Sequence, residues 1–226
     1  MNSFALIQPC TSLPCPRSQT GTQWADDIYT HVLDAIVEQR LAPGCRLTEE
    51  GLGQMFGASR AQVRDALSLL SYQQLITMQT NARTRVAAPT DEQIRQALHA
   101  RRLTEIALIP MACRQPQKED LQHLRQLFAN LRQSQAENRR GAAIRLAGAF
   151  HLHLAQMAGN APLAYFLGNL VPLTSLAIAH HDWTSSDTWQ QQAAIAQAVE
   201  DQDATTAARL INLYLDGMVL LCTPVP

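Results

Sequence analysis

Two arginines, Arg60 and Arg64, lie one helical turn apart at the start of a segment with helical periodicity. On a helix they fall at the border and the centre of the face opposite an apolar stripe of Val63, Leu67 and Leu70. A helix in the major groove presents its N-terminal turns to bases and phosphates, and arginine is the commonest specific reader of guanine. The pair therefore indicates a DNA-reading helix, although an arginine pair taken alone is more often only a solvated face.

The start of this helix carries a capping signal. Ser59 and Gln62 have the Ser-x-x-Gln spacing of a capping box, in which each side chain binds a backbone amide at the helix start. Thr48 can cap a shorter helix that runs through Phe56, and Gly57 then breaks it. Two short helices joined by a tight turn, the second of them amphipathic, have the spacing of a helix-turn-helix.

Two β-prone segments, 75–78 and 84–87, follow the predicted DNA-reading helix. They could pair as the two strands of a small wing. Arg83 and Arg85 would then lie where they could reach backbone phosphates or the minor groove.

Helical periodicity recurs on both sides of this motif. A stripe from Trp24 to Ile36 predicts a first helix, and the sequence from Asp91 to Leu221 divides into about six further helices, as in a compact bundle. The expected fold is all-α with a small β-wing: an N-terminal winged helix-turn-helix and a C-terminal antiparallel helical bundle. We expect a disordered tail over 1–21, the DNA-binding domain over 22–89, and an effector-binding and dimerisation domain over 90–226.

Composition limits the possible partners and compartments. A net charge of −1 excludes a chain-wide basic footprint, so DNA binding must be local. The five cysteines are scattered without a close metal-type pair, which favours a reduced cytosolic protein. No signal peptide and no apolar run of the ~18 residues that a membrane span needs is evident. We therefore expect a cytoplasmic protein without a membrane partner.

The segment from Pro43 to Leu67 resembles the DNA-binding domain of the GntR superfamily. It reads Pro-Gly-x-x-Leu-x-Glu and then Ser-Arg-Ala-Gln-Val-Arg-Asp-Ala-Leu, where members read Ser-Arg-x-Pro-Val-Arg-Glu-Ala-Leu. The resemblance spans roughly 28–86 and implies a repressor that reads a palindromic operator with a GT…AC-centred inverted repeat. It also implies that Arg46 contacts phosphate. Asp65 stands where the family has glutamate, and we expect a structural role for it.

The C-terminal region resembles the FadR-type branch of that superfamily, whose ligand-binding domain is a bundle of six or seven helices. The residues that carry this resemblance are Arg101-x-x-x-Glu105, Phe150-His151 followed by Ala158-Gly159-Asn160, and the closing Ala198, Asp203 and Ala207. The resemblance implies that the bundle binds a small-molecule effector and forms a homodimer.

Many members of that branch hold a divalent metal with one aspartate and three histidines. Here the four places fall at Ala147, His151, Gln192 and Tyr214, so a single ligand remains. One imidazole is too few for a tight transition-metal site. We therefore expect a metal-free pocket without a cofactor.

The polar residues at those places still suit an effector. His151, Gln192 and Tyr214, with Arg101, would form a cluster of donors for an organic acid or another oxygen-rich metabolite. His151 could equally be a hydrogen-bonded core histidine. Some metal-free members accept fatty acyl thioesters, which leaves a larger apolar effector open.

Two other readings remain. A DNA-binding regulator without a ligand would fit if side chains filled the pocket. An all-α enzyme that uses His151, Arg101 and Tyr214 is the weaker alternative, because the sequence shows no activated nucleophile and no cofactor motif. We therefore expect no enzymatic activity.

The cluster His180-His181-Asp182 is typical of a helix end rather than of a metal site, since adjacent helical histidines point about 100° apart.

Overall fold

The computed structural model describes residues 21–79, 83–180 and 186–221. The predicted tail up to residue 20, the wing-tip residues Asn81 and Ala82, and His181 lie outside the described residues. The elements over the described ranges are α1 (Gly21–Val37), β1 (Arg46–Leu47), α2 (Glu49–Phe56), α3 (Arg60–Tyr72), β2 (Ile76–Gln79), β3 (Arg83–Val86), α4 (Asp91–Ala112), α5 (Lys118–Ala136), α6 (Arg140–Met157), α7 (Ala161–His180), α8 (Ser186–Glu200) and α9 (Ala204–Leu221).

The first three helices form the predicted helix-turn-helix. Ile28 and Val32 of α1 are fully buried, as are Leu67 and Leu70 of α3, so the two apolar stripes face each other. Gly57 ends α2 with φ 61°, a left-handed conformation that glycine adopts without a Cβ penalty. The tight turn that the sequence predicts between α2 and α3 is therefore present.

The wing is an antiparallel sheet with the strand order β1-β3-β2. The predicted pair β2 and β3 is present, with Thr77 opposite Arg85. The third strand, β1, was not predicted because two residues are too short to show any periodicity. It places Arg46 opposite Arg85 and so fixes the loop before α2 to the wing.

Six helices, α4 to α9, form the bundle, as the sequence predicts. The longest of them, α4, packs against α6, α7 and α9, while α5 and α8 complete the outer side. Pro110 and Pro172 lie inside α4 and α7 rather than at helix ends. None of the helices in the described part of the chain is long and apolar enough to cross a bilayer.

Candidate functional sites

The start of α3 is fixed by the predicted capping box. The Ser59 hydroxyl accepts from the Gln62 amide at 3.4 Å, and the Gln62 side-chain oxygen accepts from the Ser59 amide at 2.9 Å. Thr48 caps α2 with a single hydrogen bond, in which its hydroxyl accepts from the backbone N–H of Gly51 at 3.1 Å. Both helices of the motif therefore begin at defined residues, which sets the face of the helix on which each residue of the first turns lies.

Arg60 and Arg64 are both exposed on α3, as predicted from their spacing. Arg64 is engaged with α2: its Nε lies 2.9 Å from Glu49 Oε2 and 3.1 Å from Glu49 Oε1. Asp65 is exposed, and its side chain makes no hydrogen bond or ion pair with the residues that the structure describes, which gives no support to the structural role expected of it.

The wing arginines differ in their surroundings. Arg46 is exposed on β1. Arg85 is half-buried, and its Nη1 donates to the Gly44 carbonyl at 2.7 Å, so this side chain also holds the loop before β1. The side chain of Arg83 lies outside the described residues, although its backbone forms part of β3.

The four predicted effector residues come together inside the bundle, each from a different helix. Arg101 (α4), His151 (α6), Gln192 (α8) and Tyr214 (α9) are each at most 1% exposed. Gln192 Nε2 lies 3.2 Å from His151 Nε2, and the rings of His151 and Tyr214 are 4.7 Å apart. The Arg101 guanidinium lies 5.9 Å from the centre of the Tyr214 ring.

Two further buried residues belong to this cluster, and the sequence analysis did not assign them to it. Glu105 accepts from Arg101 Nε at 2.5 Å and lies 2.7 Å from His151 Nδ1. The Thr174 hydroxyl of α7 accepts from Arg101 Nη1 at 2.9 Å. The four-residue spacing of Arg101 and Glu105 was a signal for the ion pair, whereas nothing in the sequence marked Thr174.

The hydrogen bonds of Gln192 define the protonation of His151. Gln192 Nε2 lies 3.0 Å from the Ala147 carbonyl, which can only accept, so the NH₂ group faces that carbonyl and His151. His151 Nε2 must then accept a hydrogen bond, and the proton lies on Nδ1, which donates a hydrogen bond to Glu105. A neutral imidazole with its proton on Nδ1 satisfies both neighbours.

The charges around this network have defined states. Burial alone would raise the pKa of Glu105, but His151 and Arg101 outweigh it and lower that pKa to about 2. Burial lowers the pKa of His151; Glu105 opposes this, while Arg101 adds to it. Burial also raises the pKa of Tyr214. The cluster at neutral pH therefore holds one ion pair, Arg101 with Glu105, and is otherwise uncharged.

This set of donors does not fit a divalent metal. Ala147 offers only a methyl group where the FadR-type branch has a carboxylate, and the lone pair of His151 Nε2 already accepts from an amide N–H. The buried carboxylate nearby, Glu105, is paired with Arg101. The described residues contain no group of three or more metal-binding side chains of the histidine, cysteine or acidic types.

Two polar atoms of the cluster lack a hydrogen bond. Arg101 Nη2, a donor, and Gln192 Oε1, an acceptor, are both buried and have no partner within the described ranges. An unpaired buried polar group is costly, by roughly 1–3 kcal/mol, so both atoms would gain from a further hydrogen-bond partner.

His153 does not join the cluster. Its Nε2 lies 3.1 Å from the Asp120 carbonyl of α5, and its ring is 4.4 Å from that of His123. His151 and His153 therefore face different neighbours, as their spacing of two on a helix predicts.

The helices that carry the cluster also contact the DNA-binding module. On α6, Arg145 Nε donates to Asp34 of α1 at 2.9 Å. On α7, the Gly168 carbonyl accepts from Gln73 at 3.3 Å, and Gln73 in turn accepts from Tyr29 at 2.7 Å. Gln73 is the residue that ends α3, so one side chain joins α1, the predicted DNA-reading helix and α7.

A winged helix-turn-helix joined to a helical bundle with a buried polar cluster defines the class of transcriptional regulators that carry an effector-binding domain. Family comparison gives the same result: residues 24–86 match the bacterial regulatory proteins of the gntR family, and residues 96–217 match the FCD domain. The chain belongs to the GntR family and carries an FCD effector-binding domain, which agrees with the resemblance to the FadR-type branch.

Solved structures support the fold. Escherichia coli McbR/YncC is similar at 15% identity and a TM-score of 0.73, over 90% of this chain and 98% of that one. A GntR transcriptional regulator from Rhodococcus sp. RHA1 is similar at 19% identity and a TM-score of 0.71, over 90% of this chain and 100% of that one. No curated protein sequence gave a significant match.

Proposed function

We propose that this regulator is a cytoplasmic, homodimeric repressor that reads a palindromic operator with Arg60 and Arg64. The observation that carries the proposal is the exposure of both arginines in the first two turns of α3, whose start is fixed by the Ser59 capping box. These turns are the ones a recognition helix presents to base edges. Ser59 and Gln62 lie in the same turn and can also approach the DNA backbone.

The wing supplies contacts to the DNA backbone. Arg46 is exposed on the edge strand β1, next to Arg85 on β3, and Arg83 belongs to the same strand. These three residues contact phosphate. Arg46→Ala will therefore weaken binding to all sequences alike and reduce the salt dependence by about one phosphate contact. Arg85→Ala will do the same and will also release the Gly44 loop.

The effector binds at the buried cluster of Arg101, His151, Gln192 and Tyr214. The free donor of Arg101 and the free acceptor of Gln192 suit an oxygen-rich molecule that both accepts and donates hydrogen bonds. Because Glu105 already balances the charge of Arg101, a hydroxyl-bearing or amide-bearing ligand fits better than a simple organic acid, whose charge would remain uncompensated. The site holds no metal cofactor.

Effector binding reaches the DNA through α6 and α7. His151 and Arg145 share α6, and Thr174 and Gly168 share α7, so each helix touches both the cluster and the helix-turn-helix. A shift of either helix on ligand binding moves α1 and the end of α3, and so changes the position of Arg60 and Arg64. This arrangement supplies the two-site coupling that allosteric control requires.

Two copies are needed because one helix-turn-helix contacts too few base pairs for specificity, and two-fold proteins match palindromic sites. Exposed apolar side chains on α4 and α9, namely Leu103, Leu213 and Leu220, give the bundle a surface for the second copy. Equilibrium sedimentation at micromolar concentration should give a dimer. A monomer both with and without DNA would contradict this part of the proposal.

The DNA-binding function is tested with an operator selected from random duplexes by the full-length protein. In a fluorescence-anisotropy titration, Arg60→Ala and Arg64→Ala should each weaken binding by about 1–3 kcal/mol. The matched control is Arg125→Ala, which removes the same charge from α5, a helix whose main packing partners are α6 and α8 of the bundle. If the wild type, Arg60→Ala, Arg64→Ala and the control all fold and bind the operator equally well, Arg60 and Arg64 do not contact the DNA.

A second function, DNA binding without a ligand, is favoured by one observation: most polar atoms of the cluster already bind one another. A screen in which no metabolite changes the melting temperature would support it.

Enzymatic activity is the weakest candidate, because both ring nitrogens of His151 are engaged by Glu105 and Gln192, which leaves neither nitrogen available to transfer a proton to a substrate.

A further inference from the structure

The contact between Glu49 and Arg64 joins the two helices of the DNA-binding motif on their exposed surface. Glu49 is the first residue of α2 and Arg64 lies in the second turn of α3, fifteen residues later. Arg64 is the more exposed partner, with 64% of its side chain accessible against 33% for Glu49. The pair therefore lies at the surface, where the capped start of α3 meets the start of α2.

Only one nitrogen of Arg64 takes part in this contact. Nε faces both carboxylate oxygens, at 2.9 and 3.1 Å, and no hydrogen bond forms at Nη1 or Nη2 within the described residues. A guanidinium is planar and presents its donors in a fixed fork, so holding Nε defines the direction of the two Nη groups. Those two groups are the pair that can bind O6 and N7 of one guanine.

A carboxylate on a DNA-binding surface also has a cost, because it repels phosphate. The charge of Glu49 would therefore lower non-specific affinity for DNA, and its ion pair with Arg64 would weaken the binding of Arg64 to phosphate. The two effects favour a complex in which Arg64 Nε still donates to Glu49 while the two Nη groups donate to a guanine. A carboxylate in this position would act on selectivity rather than on overall affinity.

We propose that Glu49 is a positioning residue that directs Arg64 toward guanine and restricts its use as a phosphate contact. The proposal depends on the function assigned above to Arg64, since it assumes that this arginine reads a base. It assigns to Glu49 a role in choosing the DNA sequence without touching the DNA itself.

The test compares Glu49→Gln with Glu50→Gln in the full-length protein. Both changes remove one negative charge from the first turn of α2, but Glu50 is exposed, and the one side-chain partner it has among the described residues is Gln54 on its own helix. Binding is measured to the selected operator and to duplexes in which each G·C pair is replaced by A·T in turn. Arg64→Ala identifies which pair Arg64 reads, and thermal melting checks that all variants fold.

We expect Glu49→Gln to lower discrimination at the base pair identified by Arg64→Ala by about tenfold, and to bind the substituted duplex at least as tightly as the wild type. Glu50→Gln should leave that discrimination unchanged. If Glu49→Gln and Glu50→Gln behave alike while Arg64→Ala alters one base pair, the role of Glu49 is overturned and that of Arg64 stands. If Arg64→Ala alters no base preference, both are overturned.

Discussion

His151 and Gln192, on helices α6 and α8, lie with 3.2 Å between their Nε2 atoms. The amide N–H therefore occupies the imidazole lone pair that a metal ion would need. The same amide group donates to the Ala147 carbonyl at 3.0 Å, which fixes its orientation. Three of the four positions that hold metal in the FadR-type branch are thus joined here by hydrogen bonds among themselves.

The first prediction concerns metal. The purified protein should contain no stoichiometric zinc, nickel or manganese, and chelator treatment should leave its melting temperature unchanged. A protein whose native state held a metal tightly would instead lose several kcal/mol on chelation, by mass action. One transition metal per chain by elemental analysis, lost in His151→Ala, would show that the polar cluster is a metal site after all.

The second prediction concerns pH. The folded pKa of His151 lies below its ordinary value of 6.5, so the unfolded state binds the proton more readily. The stabilisation is complete above pH 6.5 and is lost as pH falls toward the folded pKa. The free energy of unfolding, measured with urea from pH 8 to 5, should therefore decrease with falling pH. His151→Gln should reduce this slope, and an equal slope in both proteins would refute the buried neutral imidazole.

Glu105 acts in the same direction over a lower range of pH. Its pKa falls from 4.5 to about 2 on folding, so its stabilisation holds above pH 4.5 and is lost as pH approaches 2. The shift corresponds to about 3 kcal/mol when fully expressed. Acid unfolding should therefore begin earlier and be less steep in Glu105→Gln than in the wild type.

The third prediction concerns the buried ion pair of Arg101 and Glu105. Removing either partner leaves the other charge buried and unpaired, which costs about 3–5 kcal/mol. Arg101→Ala therefore unfolds or strongly destabilises the bundle, and it is unsuited to testing ligand response. The double variant Arg101→Met/Glu105→Leu should recover much of the loss. If the two single losses add in the double variant, the side chains are not coupled.

The fourth prediction concerns communication between the modules. Gln73→Ala removes the hydrogen bond to Gly168 of α7 and the one from Tyr29 of α1. Without effector, the operator affinity of Gln73→Ala should stay within about threefold of the wild-type affinity. The change in affinity that the effector causes should be smaller than in the wild type, because coupling between two sites amounts to a few kcal/mol. Tyr29→Phe is the matched control, because it removes only the bond to α1. If the effector changes the operator affinity of both variants equally, the coupling does not pass through the contact between Gln73 and Gly168.

The sequence predicted those parts of the molecule that depend on local rules. The capping box of Ser59 and Gln62, the glycine turn at Gly57 and the six-helix division of the bundle all follow from short-range patterns. The convergence of His151, Gln192 and Tyr214 followed from the family resemblance. The structure bears out each of these.

The remaining features depend on contacts between distant residues. The pairing of β1 with β3 joins segments about forty residues apart, and a two-residue strand shows no period. Glu49 meets Arg64 only because the turn folds α2 onto α3. Pro172 lies within α7, where a sequence rule would end the helix. Thr174 accepts a hydrogen bond from Arg101 across the bundle, and nothing in the sequence marked Thr174 for that contact.

The central claim is that a small molecule bound at the polar cluster changes operator affinity. The most direct measurement is operator binding by the wild type and by Tyr214→Phe, a variant that removes only a buried hydroxyl, with and without a metabolite that raises the melting temperature. Candidate metabolites are the substrates of enzymes encoded by adjacent genes. We expect the metabolite to change wild-type affinity at least fivefold and to have little effect on Tyr214→Phe. A metabolite that stabilises the wild type yet leaves its DNA affinity unchanged, or that acts equally on both proteins, would contradict the account.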